Sequence, residues 1–307
     1  MSESNSDAVV KSPLLSWFGG KFRIAKWIIE HLPPHDTYIE PFGGAAGVLL
    51  QKQRSRVEIY NDLDGEIVNL FRVVRNAESR LRLMEALATT PYARSEFDAA
   101  WEHCDDDIER ARRLCIRAQM GFGASGSTRP LDAPVGFAAD IWTDGAGQWQ
   151  QYPIRLGAIG ERLRGTLIES MPAVQLIARH DAPGALFYVD PPYLPEVRTS
   201  TSRGVGRDYR CEMSVFEHAD LLAMLTNLRG MAVLSGYASP LYDASLIGWA
   251  RLTRSARACG QAGTVLREEV LWISPSACAA MGIEPGSLGH VPADNNPMPS
   301  LFTDAGA

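Results

Sequence analysis

A carboxylate, two prolines and a tyrosine follow one of the most apolar stretches of the chain. Ala185 to Val189 predict a buried strand, and Asp190, Pro191, Pro192 and Tyr193 come directly after it. Because a proline follows Pro191, that residue is held in an extended backbone, which can direct its carbonyl into a cleft beside the Asp190 carboxylate. Tyr193 adds an aromatic face for stacking. The pattern predicts a pocket for a flat base that carries an amino group.

Two adjacent oxygen acceptors suit the chemistry of an aromatic amine. Its nitrogen is a poor nucleophile because the lone pair is delocalised into the ring. Acceptors that hold both N–H bonds favour a more tetrahedral nitrogen, and they stabilise the transition state more than the ground state. The alternative interpretation is a proline-rich strand exit with a structural aspartate at position 190.

A glycine-rich turn lies between two other predicted strands. Thr37 to Glu40 predict a strand that runs into Pro41-Phe42-Gly43-Gly44-Ala45-Ala46-Gly47, and Val48 to Leu50 are expected to begin a helix. A second strand, Val57 to Tyr60, ends before Asp62, which lies at the usual distance for an acid that binds ribose hydroxyls. No Walker lysine follows the turn. On these residues alone, a nicotinamide cofactor or a purely structural turn remains open.

The remaining pattern predicts an interrupted α/β fold. Apolar residues at helical spacing follow Asp62, a Gly-, Pro- and Asp-rich stretch covers 121–151, and strands return at 167–169, 185–189, 231–234 and 270–273. We therefore expect a Rossmann-like sheet with an inserted, mainly helical subdomain. The expected divisions are a first core part at 1–74, the insertion at 75–165, a second core part at 166–275 and an irregular tail at 276–307.

The composition of the chain indicates its cellular compartment and how it could contact nucleic acid. The net charge of −6 excludes a general polycation, so any nucleic-acid contact must come from local basic patches. The five cysteines are scattered without a paired motif, which favours a reducing cytoplasm and no metal site. No apolar run is long enough for a membrane span. The polar N-terminus does not have the pattern of a secretory signal.

Basic residues near the Asp190 motif are candidates for phosphate contact. A Gly-, Ser- and Thr-rich loop after the motif contains Arg198, Arg203, Arg207 and Arg210. Arg129, close to Ser125 and Ser127, is a further candidate for base or phosphate contact. The arginines at 110, 112, 113 and 117 follow Asp105, Asp106, Asp107 and Glu109, so we interpret them as an ordinary solvated helix face.

With Trp17-Phe18-Gly19-Gly20-Lys21 before the glycine turn and Asp190-Pro191-Pro192-Tyr193 after it, the chain resembles the Dam-type DNA adenine-N6 methyltransferases. The resemblance covers most of 14–72 and 166–274, including Glu269-Val270-Leu271-Trp272. It implies S-adenosylmethionine as cofactor and double-stranded DNA as substrate. Ala46 departs from the family pattern, in which a second glycine is common at this position.

The resemblance also implies roles for individual residues. Trp17 and Lys21 would contact the methionine part of the cofactor, with Lys21 pairing its carboxylate. Phe42 and Gly43 would border the cofactor, and Asp62 would hold the ribose hydroxyls.

The base pocket is implied in the same way. Asp190, Pro191 and Tyr193 would bind the flipped adenine, with Pro192 completing the motif. Asp190 and Glu40, which opens the glycine turn, would also lie beside the cofactor. The insertion matches the family's target-recognition region by its location alone.

Other functions remain open at this stage. The same pocket could methylate cytosine N4, adenine in RNA or a protein glutamine, and a DNA-binding module without catalysis is a further alternative. An extended or palindromic DNA target would suggest a homodimer.

Overall fold

The computed structural model describes residues 10–139, 144–194, 196, 209–260 and 263–284, with the backbone alone for 256–260 and 263–267. Within these ranges the strands form one seven-stranded sheet. The strands are β1 Thr37–Glu40, β2 Val57–Asn61, β3 Leu167–Glu169, β4 Ala185–Val189, β5 Met231–Gly236, β6 Ala250–Gly260 and β7 Gly263–Ile273. Their order across the sheet is β3-β2-β1-β4-β5-β7-β6.

The sheet is parallel except at one edge. The first five strands pair in parallel, whereas β7 runs antiparallel to both β5 and β6. The helices in the described ranges are α1 Ala25–Ile29, α2 Gly65–Arg75, α3 Ala77–Ala88, α4 Arg94–Ala99, α5 Asp107–Met120, α6 Gly145–Arg162, α7 Ala173–His180, α8 Val215–Thr226, α9 Pro240–Ser245 and α10 Pro275–Met281. No helix among the described residues is both long and apolar enough to cross a bilayer.

The central strand β4 shows why the sheet has two covered faces. All five of its residues are buried, as expected for a parallel strand between two helical layers. Leu186 and Tyr188 pack in one apolar cluster, and Phe187 and Val189 pack in the other. Because side chains alternate across a strand, one continuous apolar run supplies both cores.

The helices α2 to α6 all lie between β2 and β3 in the chain, and ion pairs attach them to one another. Glu66 of α2 accepts hydrogen bonds from Arg110 and Arg117 of α5 at 2.9 and 2.8 Å. Arg112 reaches Glu96 of α4 at 3.0 Å, and Arg112 and Arg113 also pair with Glu109 within α5 at 2.7 Å. These arginines therefore bind acids within the helical segment. The predicted solvated helix face is wrong for Arg117, which is buried against Glu66.

The fold class predicted from the sequence is confirmed: the chain has an α/β Rossmann-like sheet with a helical segment inserted after β2. Several local predictions are wrong. Residues 48–51 form turns instead of a helix, and α6 begins at Gly145 instead of Arg155. The sequence reading missed α9 and β6, and α10 occupies residues that were expected to be irregular.

Candidate active site

The site lies where the carboxyl ends of β1 and β4 meet. These strands are neighbours, but the chain continues from β1 to β2 on one side and from β4 to β5 on the other. Such a reversal opens a crevice at the ends of parallel strands, which is the usual ligand position in open α/β sheets. A cavity of about 430 Å³ occupies this position, within the range of about 300–1,000 Å³ common for small-molecule sites.

The cavity brings together all ten residues that were predicted to bind cofactor or base. They are Trp17, Lys21, Glu40, Phe42, Gly43, Asp62, Asp190, Pro191, Pro192 and Tyr193. These residues come from four separate stretches of the chain, so their convergence depends on the sheet order.

The turn after β1 is packed too tightly for side chains at its glycines. A Cβ atom at Gly43 would overlap the Tyr60 ring, and one at Gly44 would lie 2.7 Å from the Trp17 indole nitrogen. Gly44 also has a φ of +46°, which favours glycine. Ala46 adopts a φ of +53° with its methyl group buried, so the position that departs from the family pattern is a left-handed one.

Glu40 is a buried acid at the end of β1. Its Oε1 accepts hydrogen bonds from the Tyr38 hydroxyl at 2.7 Å and from the Leu49 amide at 2.8 Å. Burial raises the pKa of Glu40 to about 7, although these two donors and Lys52 act in the opposite direction. Glu40 therefore fixes the turn to the strand and exchanges a proton near neutral pH.

Asp62 lies across the cavity, after β2. Its two carboxylate oxygens accept from the amides of Gly44 at 2.7 Å and Asp64 at 2.9 Å. Burial, together with repulsion from Asp64, raises the pKa of Asp62 to about 6, while Arg210 lowers it. A carboxylate held by backbone amides at the ligand cavity has the geometry expected of a hydroxyl acceptor.

Asp190 is held from two directions. Lys21 Nζ lies 3.0 Å from Asp190 Oδ1, and the Ser235 hydroxyl donates to the same oxygen at 2.8 Å. Lys21 also donates to the Gly19 carbonyl at 2.6 Å. Lys21 was predicted to pair with a cofactor carboxylate, whereas here it joins the N-terminal motif to the Asp190 motif.

Lys21 and Tyr193 share an acid that comes from β7. The Tyr193 hydroxyl donates to Glu269 Oε2 at 2.9 Å, and Lys21 Nζ lies 4.7 Å from the centre of the Tyr193 ring. Burial alone would lower the pKa of Lys21, but the carboxylates of Asp190 and Glu269 outweigh it and the pKa is raised. Lys21 is therefore a charged group inside the site, and Glu269 fixes the tilt of the tyrosine ring.

The predicted DNA-binding arginines are placed unevenly. Arg198, Arg203 and Arg207 lie outside the described residues. Arg210 points inward: its guanidinium lies 2.7 Å from Asp64 Oδ2 and donates to the carbonyls of Ser127 and Arg129. Arg129 itself is partly exposed in the irregular stretch before α6.

Several residues that line or support the cavity had no role assigned to them by sequence reasoning. They include Asp64, Met171, Tyr209, Ser235 and Glu269. Met171 could have been found, because residues after β3 emerge at the same edge of the sheet as Glu40 and Asp190. Tyr209 and Glu269 are far from any motif glycine, and only the folded chain brings them to the site.

Comparison with known proteins agrees with this arrangement. Residues 17–112 match the family model of the D12 class N6 adenine-specific DNA methyltransferases. A DNA adenine methylase from Serratia marcescens is 25% identical over 194 residues, which are 59% of this chain and 66% of that protein. A DNA adenine methylase from Salmonella typhi is 31% identical over 117 residues, 35% of this chain and 40% of that protein.

A further relative carries the name of a Type II methyltransferase. The Type II methyltransferase M.MjaIII of Methanocaldococcus jannaschii is 37% identical over 78 residues, 22% of this chain and 27% of that protein. The chain spans less than two thirds of the length of these relatives. The family model and the relatives together confirm the resemblance to the Dam-type DNA adenine methyltransferases that the sequence motifs predicted.

Proposed function

We propose that this protein transfers a methyl group from S-adenosylmethionine to N6 of an adenine in double-stranded DNA. The observation that carries the proposal is the position of Asp190, which lies in the same cavity as Asp62 and the glycine turn, with its carboxylate held by Lys21 and Ser235. The similarity to adenine-specific DNA methyltransferases supports the choice of base.

The chain's residues fit the proposed cofactor. Gly43 and Gly44 line the cavity, and the turn keeps this shape only with glycine there because a Cβ would collide with Tyr60 or Trp17. Asp62 supplies a carboxylate suited to a ribose diol, and Trp17 supplies an apolar wall. When bound, S-adenosylmethionine supplies a methyl group on a positively charged sulfur and is left as a neutral thioether.

The base pocket would be formed by the motif after β4. The target adenine must leave the stack, because its N6 cannot be approached in line within the duplex. Tyr193, whose hydroxyl is fixed by Glu269, offers its ring for stacking. Asp190 and the Pro191 carbonyl would accept the two N6 hydrogens, and Pro192 would keep Pro191 extended.

This arrangement predicts direct transfer without a covalent enzyme intermediate. The N6 lone pair forms the new N–C bond as the C–S bond breaks, and the nitrogen then releases one proton. Asp190, which would already accept a hydrogen bond from that nitrogen, is the nearest base. Ser235 and Lys21 would keep its carboxylate in position throughout.

DNA would approach over the cavity mouth. We propose phosphate or base contact for Arg129, and the same role is retained for Arg198, Arg203 and Arg207. The boundaries of the inserted target-recognition subdomain at 75–165, a homodimer and a pairing with a restriction enzyme remain proposals of the same kind. The bacterial adenine methylases among the relatives favour a DNA-acting role inside the cell.

Nucleoside analysis tests the proposal directly. The protein is incubated with S-adenosylmethionine and DNA that lacks adenine methylation, in parallel with RNA, and each product is digested to nucleosides. We expect N6-methyldeoxyadenosine from DNA. N4-methylcytosine alone, methylation confined to RNA, or no methylated nucleoside would contradict the assignment.

Asp190→Asn provides the matched variant. It keeps the shape and one acceptor oxygen but removes the charge, so we expect at least a hundredfold loss of transfer because a transition-state contact is lost. Asp132→Asn is the control. Asp132 lies outside the cavity, so the same substitution there should leave transfer unchanged. Normal transfer by Asp190→Asn would remove Asp190 from the mechanism.

A further inference from the structure

Arg210 is the point at which three separate segments meet. Its guanidinium donates to Asp64 Oδ2 through Nε at 2.9 Å and lies 2.7 Å from the same oxygen through its second nitrogen. Two further hydrogen bonds of 2.5 Å reach the carbonyls of Arg129 and Ser127. The side chain is 13% exposed. A guanidinium enclosed in this way is directed into the protein and away from a DNA phosphate.

Asp64 connects Arg210 to the proposed cofactor site. Its Oδ1 caps α2 by accepting from the Glu66 amide at 3.0 Å, and its own amide donates to Asp62 Oδ1 at 2.9 Å. Asp62 is the proposed ribose acceptor. A displacement of Asp62 on cofactor binding would therefore be transmitted to Arg210 through Asp64.

On its other side, Arg210 holds segment 125–129, which begins within the short 3-10 helix Ala124–Gly126 and continues as a turn. Ser127 is fully buried, and its hydroxyl donates at 2.7 Å to the carbonyl of Ser16, next to Trp17. Thr128 lines the main cavity. The segment thus touches the N-terminal motif and the cavity, and it ends at Arg129, the proposed DNA contact.

We infer that Arg210 is a positioning residue that couples cofactor binding to the placement of segment 125–129 on DNA. The inference rests on the proposed function, and it replaces the predicted phosphate contact of Arg210 with an internal role. Cofactor in the Asp62 site stabilises the arrangement of Asp64 that pairs with Arg210, and Arg210 in turn holds the two carbonyls that place Arg129.

Coupling of this kind is reciprocal and measurable. DNA must change the affinity for cofactor by the same factor by which cofactor changes the affinity for DNA. The probes are S-adenosylhomocysteine, which has no methyl group to transfer, and a short duplex with the motif that base-modification sequencing of wild-type product DNA identifies. The dissociation constant of each probe is measured with and without a saturating concentration of the other.

For the wild type we expect a coupling factor of about five or more, within the usual range for linked sites. Arg210→Met should bring this factor close to one, and Arg210→Lys should restore part of it because the charge remains. Asp64→Asn, which preserves the helix cap and an acceptor oxygen, should also reduce the factor. If Arg210→Met does not fold, Arg210→Lys and Asp64→Asn still test the inference.

Arg110→Met is the matched control. Arg110 joins α5 to α2 by an ion pair of 2.9 Å, but none of its hydrogen bonds or ion pairs is with Asp64 or segment 125–129. It should retain the wild-type factor, which separates coupling from general loosening of the fold.

Three results would overturn the inference. They are a wild-type factor of one, an unchanged factor in Arg210→Met, or equal weakening of DNA binding with and without cofactor together with a salt slope reduced by about one. The last is the signature of a direct phosphate contact. Because these are binding measurements, they remain distinct from the nucleoside assay: a wild type that forms no N6-methyldeoxyadenosine would contradict the proposed function itself.

Discussion

Two buried glutamates on neighbouring strands show how differently the same residue type behaves in this sheet. Glu40, on β1, is bound by the neutral donors Tyr38 and the Leu49 amide, and its pKa is raised to about 7. Glu58, on β2, lies 2.6 Å from Arg162 and 2.9 Å from Lys52. Burial alone would raise the pKa of Glu58, but these cations outweigh it, so the pKa lies below its ordinary value.

The raised pKa of Glu40 predicts a specific dependence of stability on pH. Between its ordinary value of 4.5 and about 7, the folded protein holds more protons at Glu40 than the unfolded chain does. The contribution of Glu40 to the free energy of unfolding therefore falls as pH rises through that interval. Glu40→Gln keeps both acceptor contacts but cannot ionise, so its stability relative to wild type should rise by about 2–3 kcal/mol between about pH 5 and about pH 8.

Urea unfolding of both proteins across this pH range provides the measurement. Glu58→Gln is the control, because Glu58 is ionised in the folded and the unfolded states above its ordinary pKa of 4.5. It should be less stable than wild type by a nearly constant amount over the same range. A constant difference between Glu40→Gln and wild type would show that Glu40 does not titrate near neutral pH.

Sequence reasoning could select Glu40 but could not give its protonation. An acid that follows an apolar strand and precedes a glycine turn indicates a ligand-binding site. Its pKa depends on the Tyr38 hydroxyl, the Leu49 amide and the depth of burial, which exist only in the folded chain. For the same reason Glu269 had no predicted role, since its partner Tyr193 is 76 residues away.

At the scale of elements, the turn after β1 depends on close packing between backbone and aromatic rings. The Gly43 amide donates to the Asn61 carbonyl at 2.8 Å, which draws the turn onto β2. Tyr60 is fixed there by a hydrogen bond of 2.8 Å to the Gly44 carbonyl and by stacking on Phe71 with ring centres 4.4 Å apart. The ring cannot move aside easily to admit a side chain at position 43.

Gly43→Ala should therefore damage both stability and cofactor binding. The added methyl group would overlap the Tyr60 ring, so the turn or the ring must shift, at a cost of about 1–3 kcal/mol in the free energy of unfolding. We expect at least a tenfold weaker affinity for S-adenosylhomocysteine, measured by calorimetry. Gly157→Ala in α6, where no atom lies within 4 Å of the new Cβ, should instead stabilise the protein by about 0.5–1 kcal/mol with unchanged affinity. Equal effects of the two substitutions would exclude the packing explanation.

The elements that were predicted well are those with a strong local signal. β1, β3 and β4 have the expected bounds because their apolar runs are short and end at polar or glycine residues. The first half of α6 was missed because it contains Gly145, Gly147 and Pro153, which disfavour helix locally. Its buried Trp149 and Tyr152, with rings stacked 5.6 Å apart, supply tertiary contacts that outweigh this propensity.

At the scale of the whole molecule, a few buried charges join the helical segment to the sheet. Arg162, at the end of α6, is 3% exposed, pairs with Glu58 of β2 and donates to the Leu49 carbonyl at 2.6 Å. Arg54, after the turn that follows β1, donates to the carbonyls of Glu161 and Arg164. These contacts link residues more than 100 positions apart, and no local pattern in the sequence predicts them.

Arg162→Met tests whether the helical segment and the sheet unfold together. Removing the guanidinium leaves the Glu58 carboxylate buried with Lys52 as its remaining cation, which should cost about 3–5 kcal/mol in the free energy of unfolding. Arg164→Met, two residues away, removes only an exposed pair with Glu161 and should leave the free energy of unfolding close to the wild-type value.

Urea transitions followed by tryptophan fluorescence and by far-UV circular dichroism show whether the helical segment and the sheet of Arg162→Met unfold together or separately. If the segment and the sheet form one cooperative unit, both probes shift together to lower urea and remain superimposed. An early transition seen by only one probe, with the second transition at its wild-type position, would mean that the inserted helices unfold by themselves. The proposed coupling through Arg210 requires the first result, because a recognition segment on an independently unfolding subdomain could not be held in register with Asp64.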